Sequence, residues 1–146
     1  MGLGNSREIA AAGMSAQRLR MEIVAANIAN ARTTRTAEGG PYSRRYAIFR
    51  ASELELGQMD AFSEQLRQQL RTVQVADVQI DDSPPRREFQ PGHPDADAAG
   101  YVSFPNINVV EEMVNMIGAA RSYEANLEVL KSVGGMSNAA LDIGGR

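Results

Sequence analysis

Few side chains in this sequence could make or break bonds. The single histidine, His93, stands in His93-Pro94-Asp95-Ala96-Asp97, where one imidazole and two carboxylates could offer a divalent cation mixed nitrogen and oxygen ligands. No fourth ligand follows at a recognisable spacing, so this proline-rich acidic stretch reads as a solvated turn, and neither a metal nor any other cofactor is expected. Asp81-Asp82 and Glu111-Glu112 are adjacent carboxylates. Neighbours point in different directions on a strand or a helix and make poor acid–base pairs, so these read as solvating or helix-capping groups. Cysteine is absent, which removes disulfides, thiolate nucleophiles and cysteine-ligated metal centres together. Gly39-Gly40 lacks the following Lys-Ser/Thr of a phosphate loop, and there is no Gly-x-Ser-x-Gly elbow. No catalytic residue is expected, and the chain reads as a non-enzyme.

What remains is a cluster of arginines. Arg32, Arg35, Arg44, Arg45 and Arg50 make the stretch after residue 31 basic, with Tyr42 and Tyr46 interleaved and Glu38 as its acid. One reading is a nucleic-acid patch, which would make the chain a helical nucleic-acid-binding regulator. The other is a protein interface in which Arg32, Arg35, Tyr42, Arg44 and Arg45 meet acidic loops, such as residues 77–97, on a neighbouring copy. The net charge of -3 over 146 residues supplies no long-range attraction for nucleic acid or an anionic membrane, so the second reading is preferred.

The elements that carry these residues are mainly helical. Hydrophobic residues are 43% and charged residues 23%, values of one soluble domain, and packing must rest on small aliphatics and Met because aromatics are only 5%. No run approaches the roughly 18 apolar residues of a membrane span, and no membrane insertion is expected. The first residues lack the basic start and continuous apolar core of a Sec-type signal, which places the chain in the cytoplasm unless another export route serves it.

Residues 6–31 form a helix by periodicity, with Asn5 or Ser6 as its cap. Ile9, Ala12, Ala16, Leu19, Ile23, Ala26 and Asn30 repeat at three and four, and Ala10, Met14, Gln17, Met21, Val24 and Ile28 form a second seam beside them. A mirror-image pattern follows Pro105, with Asn106 or Asn108 as cap. Val109, Glu112, Met116, Ala119, Tyr123, Asn126, Leu130 and Val133 make one seam; Val110, Met113, Ile117, Ala120, Glu124, Leu127 and Lys131 make the other. Gly134-Gly135 should weaken this helix. Between the ends, residues 46–50 and 101–104 read as strands, and residues 73–80 as a strand whose phase shifts near Ala76-Asp77, the mark of a bulge. Residues 62–71 suit a short amphipathic helix, and 81–99 a loop.

The expected fold is thus mainly α with a small β insert: an N-terminal coiled-coil helix (1–31), a linker and small β-containing domain with an acidic Pro-rich loop (32–104), and a C-terminal coiled-coil helix (105–146). Two seams on each helix exceed what one antiparallel pair needs. The subunit-packing candidates are Ile9, Leu19, Ile23, Asn27, Asn30, Val110, Met113, Ile117, Tyr123, Asn126, Leu127 and Leu130. If their partners arrive only on docking, the helices would be poorly ordered in the free chain.

Particular strings sharpen this. Ser15 to Thr36 contains Asn27-Ile28-Ala29-Asn30 followed by threonines, and resembles the N-terminal signature of bacterial flagellar rod and hook proteins. Gly39-Gly40-Pro41-Tyr42-Ser43-Arg44-Arg45, the loop from Pro91 to Asp97, the string from Gly100 to Asn108 and that from Glu112 to Asn126 are similar to the short proximal-rod members of that family. Residues 53–71 do not align with the family pattern. The resemblance implies a structural subunit of the flagellar basal-body rod, the hollow axial drive shaft that transmits torque for motility. Its implied partners are other copies, other rod proteins and the flagellar type III export apparatus, which would deliver it to the periplasmic rod without a Sec signal.

Overall fold

A computed structural model of the chain describes residues 3–53 and 71–144. The expected helix over 62–71 lies outside the described residues, apart from Arg71, which opens a strand. Two long helices dominate. Helix α1 runs Leu3–Ala29 and helix α2 runs Val109–Gly144. Asn5 and Ser6 lie inside α1 and not at its cap, because the helix begins earlier than its apolar periodicity. At α2 the cap is Asn108, whose Oδ1 accepts the Val110 and Glu111 amides at 3.1 and 3.4 Å. Helix α2 also continues unbroken through Gly134-Gly135. Two glycines lower its helix propensity by about 2 kcal/mol together, which 36 residues of cooperative hydrogen bonding can absorb.

The helices pack antiparallel. Near the start of α1, a Cβ built on Gly13 would lie 2.8 Å from Asn126 Nδ2; further along, Arg20 reaches Asn115, and near the end Asn27 reaches Glu112. The line of contact on α1 is made by Ala10, Gly13, Ala16, Val24 and Asn27, all buried. Small residues let the backbones approach closely. On α2 the buried positions are Glu112, Ala119 and Val133.

The middle of the chain forms two separate hairpins. Strands β1 (Arg45–Glu53) and β2 (Arg71–Ile80) pair antiparallel, and both touch α1. Ile48 faces Asp77 and Phe49 faces Val75, so Ala76 is an extra residue and the bulge falls where the phase shift placed it. Strands β3 (Arg86–Phe89) and β4 (Tyr101–Phe104) form the second pair. The expected loop over 81–99 therefore contains a strand. Arg-Arg-Glu-Phe has no apolar alternation to announce it, and it forms because β4 offers a partner edge.

Val102, Phe104, Pro105 and Ile107 are buried, and Phe104 and Ile107 share a groove with Ala31, just after α1, and Val109, which opens α2. Gly100 adopts φ +81°, and a Cβ there would sit 2.9 Å from the Phe89 ring, so the turn into β4 requires glycine.

Gly13→Leu should wedge the helix pair apart at Asn126 and lower stability by about 1–3 kcal/mol, read as a lower urea midpoint at unchanged m-value. The same substitution at Gly118, where a Cβ meets nothing within 4 Å, should leave the midpoint unchanged or raised.

Candidate functional site

Asn27 is fully buried, and all its hydrogen-bonding capacity is used. Its Nδ2 donates to Glu112 Oε2 at 2.9 Å and to the Arg45 carbonyl at 2.7 Å. Its Oδ1 accepts the Arg45 amide at 2.9 Å and the Tyr42 hydroxyl at 3.1 Å. One side chain thereby joins α1, the segment entering β1 and α2. Glu112 is 1% exposed and accepts Arg44 through Nη2 at 2.6 Å and Nε at 3.0 Å. Arg44 also approaches Asp81 at 3.8 Å. Its guanidinium is held above its usual pKa: burial opposes this, and the hydrogen bond and charge of Glu112 outweigh it. Burial raises the Tyr42 hydroxyl, against the lowering effect of Arg45.

The reading of Glu111-Glu112 as solvating or capping groups is corrected at Glu112. That residue belongs to an apolar seam and is buried there because Arg44 and Asn27 complete its shell. Signals for the pair were present in the sequence, a carboxylate at a seam position and an arginine in the Gly-Gly-Pro-Tyr-Ser-Arg-Arg string, but nothing local links residues 68 positions apart.

The second asparagine of the motif acts locally. Asn30 Nδ2 donates to the Ala26 carbonyl at 2.9 Å, and Oδ1 accepts Thr33 Oγ1 at 3.1 Å, closing the end of α1. The segment beyond it folds back, with the Tyr42 amide bonded to the Thr33 carbonyl and the Thr36 amide to that of Gly40. Gly39 and Gly40 take φ of +87° and +79° at its tip.

The arginine cluster is dispersed. Arg35 pairs with Asp95 at 3.7 Å, and Arg44 with Glu112 and Asp81, so acids expected on a neighbouring copy are supplied here by the same chain. Arg45 lies over the Tyr42 ring at 5.9 Å. Arg32 is exposed on the rim of a groove with Ile107 and Val110. The triad of His93, Asp95 and Asp97 does not converge either. His93 Nδ1 accepts the Asp95 amide, Asp95 binds Thr34, and Asp97 takes the Ala99 and Tyr101 amides together with Arg87. Among the described residues no three His, Asp or Glu side chains could hold a metal ion.

The seam candidates divide by face. Asn27 is buried; Ile9, Leu19, Ile23, Asn30, Tyr123, Asn126, Leu127 and Leu130 are half-buried. Val110, Met113 and Ile117, joined by Val114, are each more than half exposed. Spacings of three and four place these four on one outward stripe of α2. Gly13 is a packing residue outside both seams, and its signal in the sequence is a glycine three positions after Ala10, where helices can approach closely.

Both ends of the chain match known families. Residues 8–35 match the family described as flagella basal body rod protein, and residues 98–143 match the C-terminal domain of flagellar basal body rod FlgEFG proteins. These are the ends that form the helix pair and its buried joint. The flagellar basal-body rod protein FlgC of Borreliella burgdorferi is 42% identical, with 98% of each chain covered. FlgC of Salmonella typhimurium is 39% identical over 99% of each chain, and that of Bacillus subtilis 34% identical over 96% of this chain and 97% of its own. The chain belongs to the FlgC family of flagellar basal-body rod proteins.

Two predictions concern the joint and the second hairpin. Glu112→Ala should cost about 2–4 kcal/mol in urea unfolding, since it leaves Arg44 with only its longer contact to Asp81 and one Asn27 donor unpaired. Asp97 is held below the ordinary carboxylate range, first by the Tyr101 amide and then by Ala99 and Arg87. Its contribution is present above the unfolded pKa and is lost as pH falls through the lowered folded value. The protection factor of the Tyr101 amide, which removes the intrinsic pH dependence of exchange, should therefore fall on acidification, and Asp97→Asn should flatten that dependence.

Proposed function

We propose that this chain is a structural subunit of the proximal flagellar rod, polymerising through its terminal helices into the hollow axial shaft that transmits torque for motility. The observation that carries this reading is the division of α2 into two faces. One is closed against α1 by Ala119, Val133 and the Glu112 joint. The other presents Val110, Met113, Val114 and Ile117 to solvent. A contiguous stripe of four large apolar side chains suits a subunit interface. Its partners are other copies and other rod proteins, with the outer seam extending the helix pair into a coiled-coil-like wall. Export by the flagellar type III apparatus to the periplasmic part of the basal body follows from the same family membership.

The helix pair already has a seam within one chain. The ordering gained on assembly therefore falls mainly on the last turns of α2, where Met136, Leu141 and Ile143 are exposed. The nucleic-acid reading draws no support from the geometry, since Arg35 and Arg44 face carboxylates.

Ile117→Asp should leave the soluble chain folded, because Ile117 is 55% exposed, yet abolish its incorporation into basal bodies and motility, because assembly would bury an unpaired charge. Ala119→Asp, two positions away on the closed face, should unfold the helix pair instead. Circular dichroism of the purified variants and immunoblots of isolated basal bodies separate the two effects. Normal basal bodies carrying Ile117→Asp would overturn the assignment of the outer face.

A further inference from the structure

Three of the four residues on the outward stripe of α2, Val110, Val114 and Ile117, are aliphatic and chemically inert. The fourth, Met113, carries a thioether sulfur and is 54% exposed in the folded chain. The positions one turn away on either side of it are Val109, Val110, Met116 and Ile117, so each of these neighbours along the helix surface is apolar and none offers a side-chain hydrogen-bond donor. Val109, Val110 and Ile117 are exposed as well, which leaves the sulfur open to solvent in the middle of the stripe.

The other methionines among the described residues are placed differently. Met14, Met21 and Met116 are half-buried. Met136 is exposed, but it lies in the later turns of α2, away from the stripe. Met113 is therefore the methionine that is open to solvent in the free chain and would be covered when a neighbouring subunit docks on this face.

We propose that Met113 is an oxidation site, and that its conversion to the sulfoxide by hydrogen peroxide closes the outward face of α2 to neighbouring subunits. A sulfur lone pair attacks one peroxide oxygen, and the S–O bond forms as the O–O bond breaks. Sulfur loses two electrons, the peroxide gains them, and its second oxygen leaves as water after proton transfer. No other reactant is needed. The product carries a polar oxygen that accepts hydrogen bonds, and burying it beside Val109, Val110, Met116 and Ile117 leaves it without a donor from its own helix face. The fold of the single chain does not depend on the reduced sulfur, because Met113 is more than half exposed. Methionine sulfoxide reductases return the sulfoxide to the thioether, so the block is reversible. This rests on the reading of the stripe as the assembly face of a rod subunit and names a chemical control on that face.

Hydrogen peroxide added to the purified full chain, with tandem mass spectrometry as the readout, should oxidise Met113 at least about threefold faster than Met14, Met21 and Met116, without loss of helicity by circular dichroism. Met113 reacting no faster than those three, or helicity falling as it reacts, would overturn the assignment of the site. In cells, Met113→Gln places a polar side chain of similar length on the stripe. It should lower incorporation into basal bodies by about tenfold, the effect of burying one unpaired polar group, whereas Met113→Leu should stay near the unsubstituted level. Cells building rods in sublethal hydrogen peroxide should form fewer new basal bodies with the unsubstituted chain than with Met113→Leu. Met136 is present in both chains, so the difference belongs to position 113. Normal incorporation of Met113→Gln, or an equal loss under peroxide with Met113→Leu, would overturn the proposal and leave the rod reading standing. Absence of the unsubstituted chain from basal bodies without peroxide would overturn the rod reading itself, and this control with it.

Discussion

Asn27 is the point on which the rest of the chain depends. A neutral amide has two donors and an oxygen with room for two acceptor contacts, and here all four are matched, to α2, to both backbone groups of Arg45 and to Tyr42. Each partner is distant in sequence, so the side chain reports correct assembly of three separate segments at once. Leaving any of them out would bury an unsatisfied polar group, which is more costly than the bond is favourable. Glu112 adds a charge to the same interior, made tolerable by Arg44. The outcome is one fixed register between the helices and one fixed exit direction for β1.

That joint explains why the two faces of α2 can differ in purpose. Packing between α1 and α2 relies on small residues, Ala10, Gly13 and Ala16 on one side and Ala119 on the other, which bury little area individually. Hydrogen bonds at Asn27 and Glu112 supply the specificity that such a seam lacks. The large aliphatics Val110, Met113, Val114 and Ile117 are then not required for the subunit's own fold and are left facing outward. The single chain thus leaves this apolar stripe uncovered, and it is the surface proposed to meet neighbours.

Much of this was legible in the sequence. Both helices, three of the four strands among the described residues and the bulge at Ala76 follow from local periodicity, and the doubled seams anticipated the apolar surface that α2 leaves exposed. The missed features share a physical cause. Strand β3 exists through pairing with β4, the passage of α2 through Gly134-Gly135 through helix cooperativity, and the Glu112–Arg44 pair through contact across the fold. Each depends on structure distant in sequence. The arginines form one patch only in sequence, whereas the folded chain sends Arg35 to Asp95, Arg44 to the interior and Arg32 to a groove.

The central claim is that one face of α2 belongs to the subunit and the other to the assembly. An electron cryo-microscopy map of basal bodies carrying this chain, at a resolution that places side chains, tests it most directly. The account predicts Val110, Met113, Val114 and Ile117 covered by a neighbouring subunit, with the Asn27–Glu112–Arg44 joint unchanged inside each copy. A map in which that stripe faces solvent, or in which α1 and α2 part from each other to pair with other subunits, would contradict it.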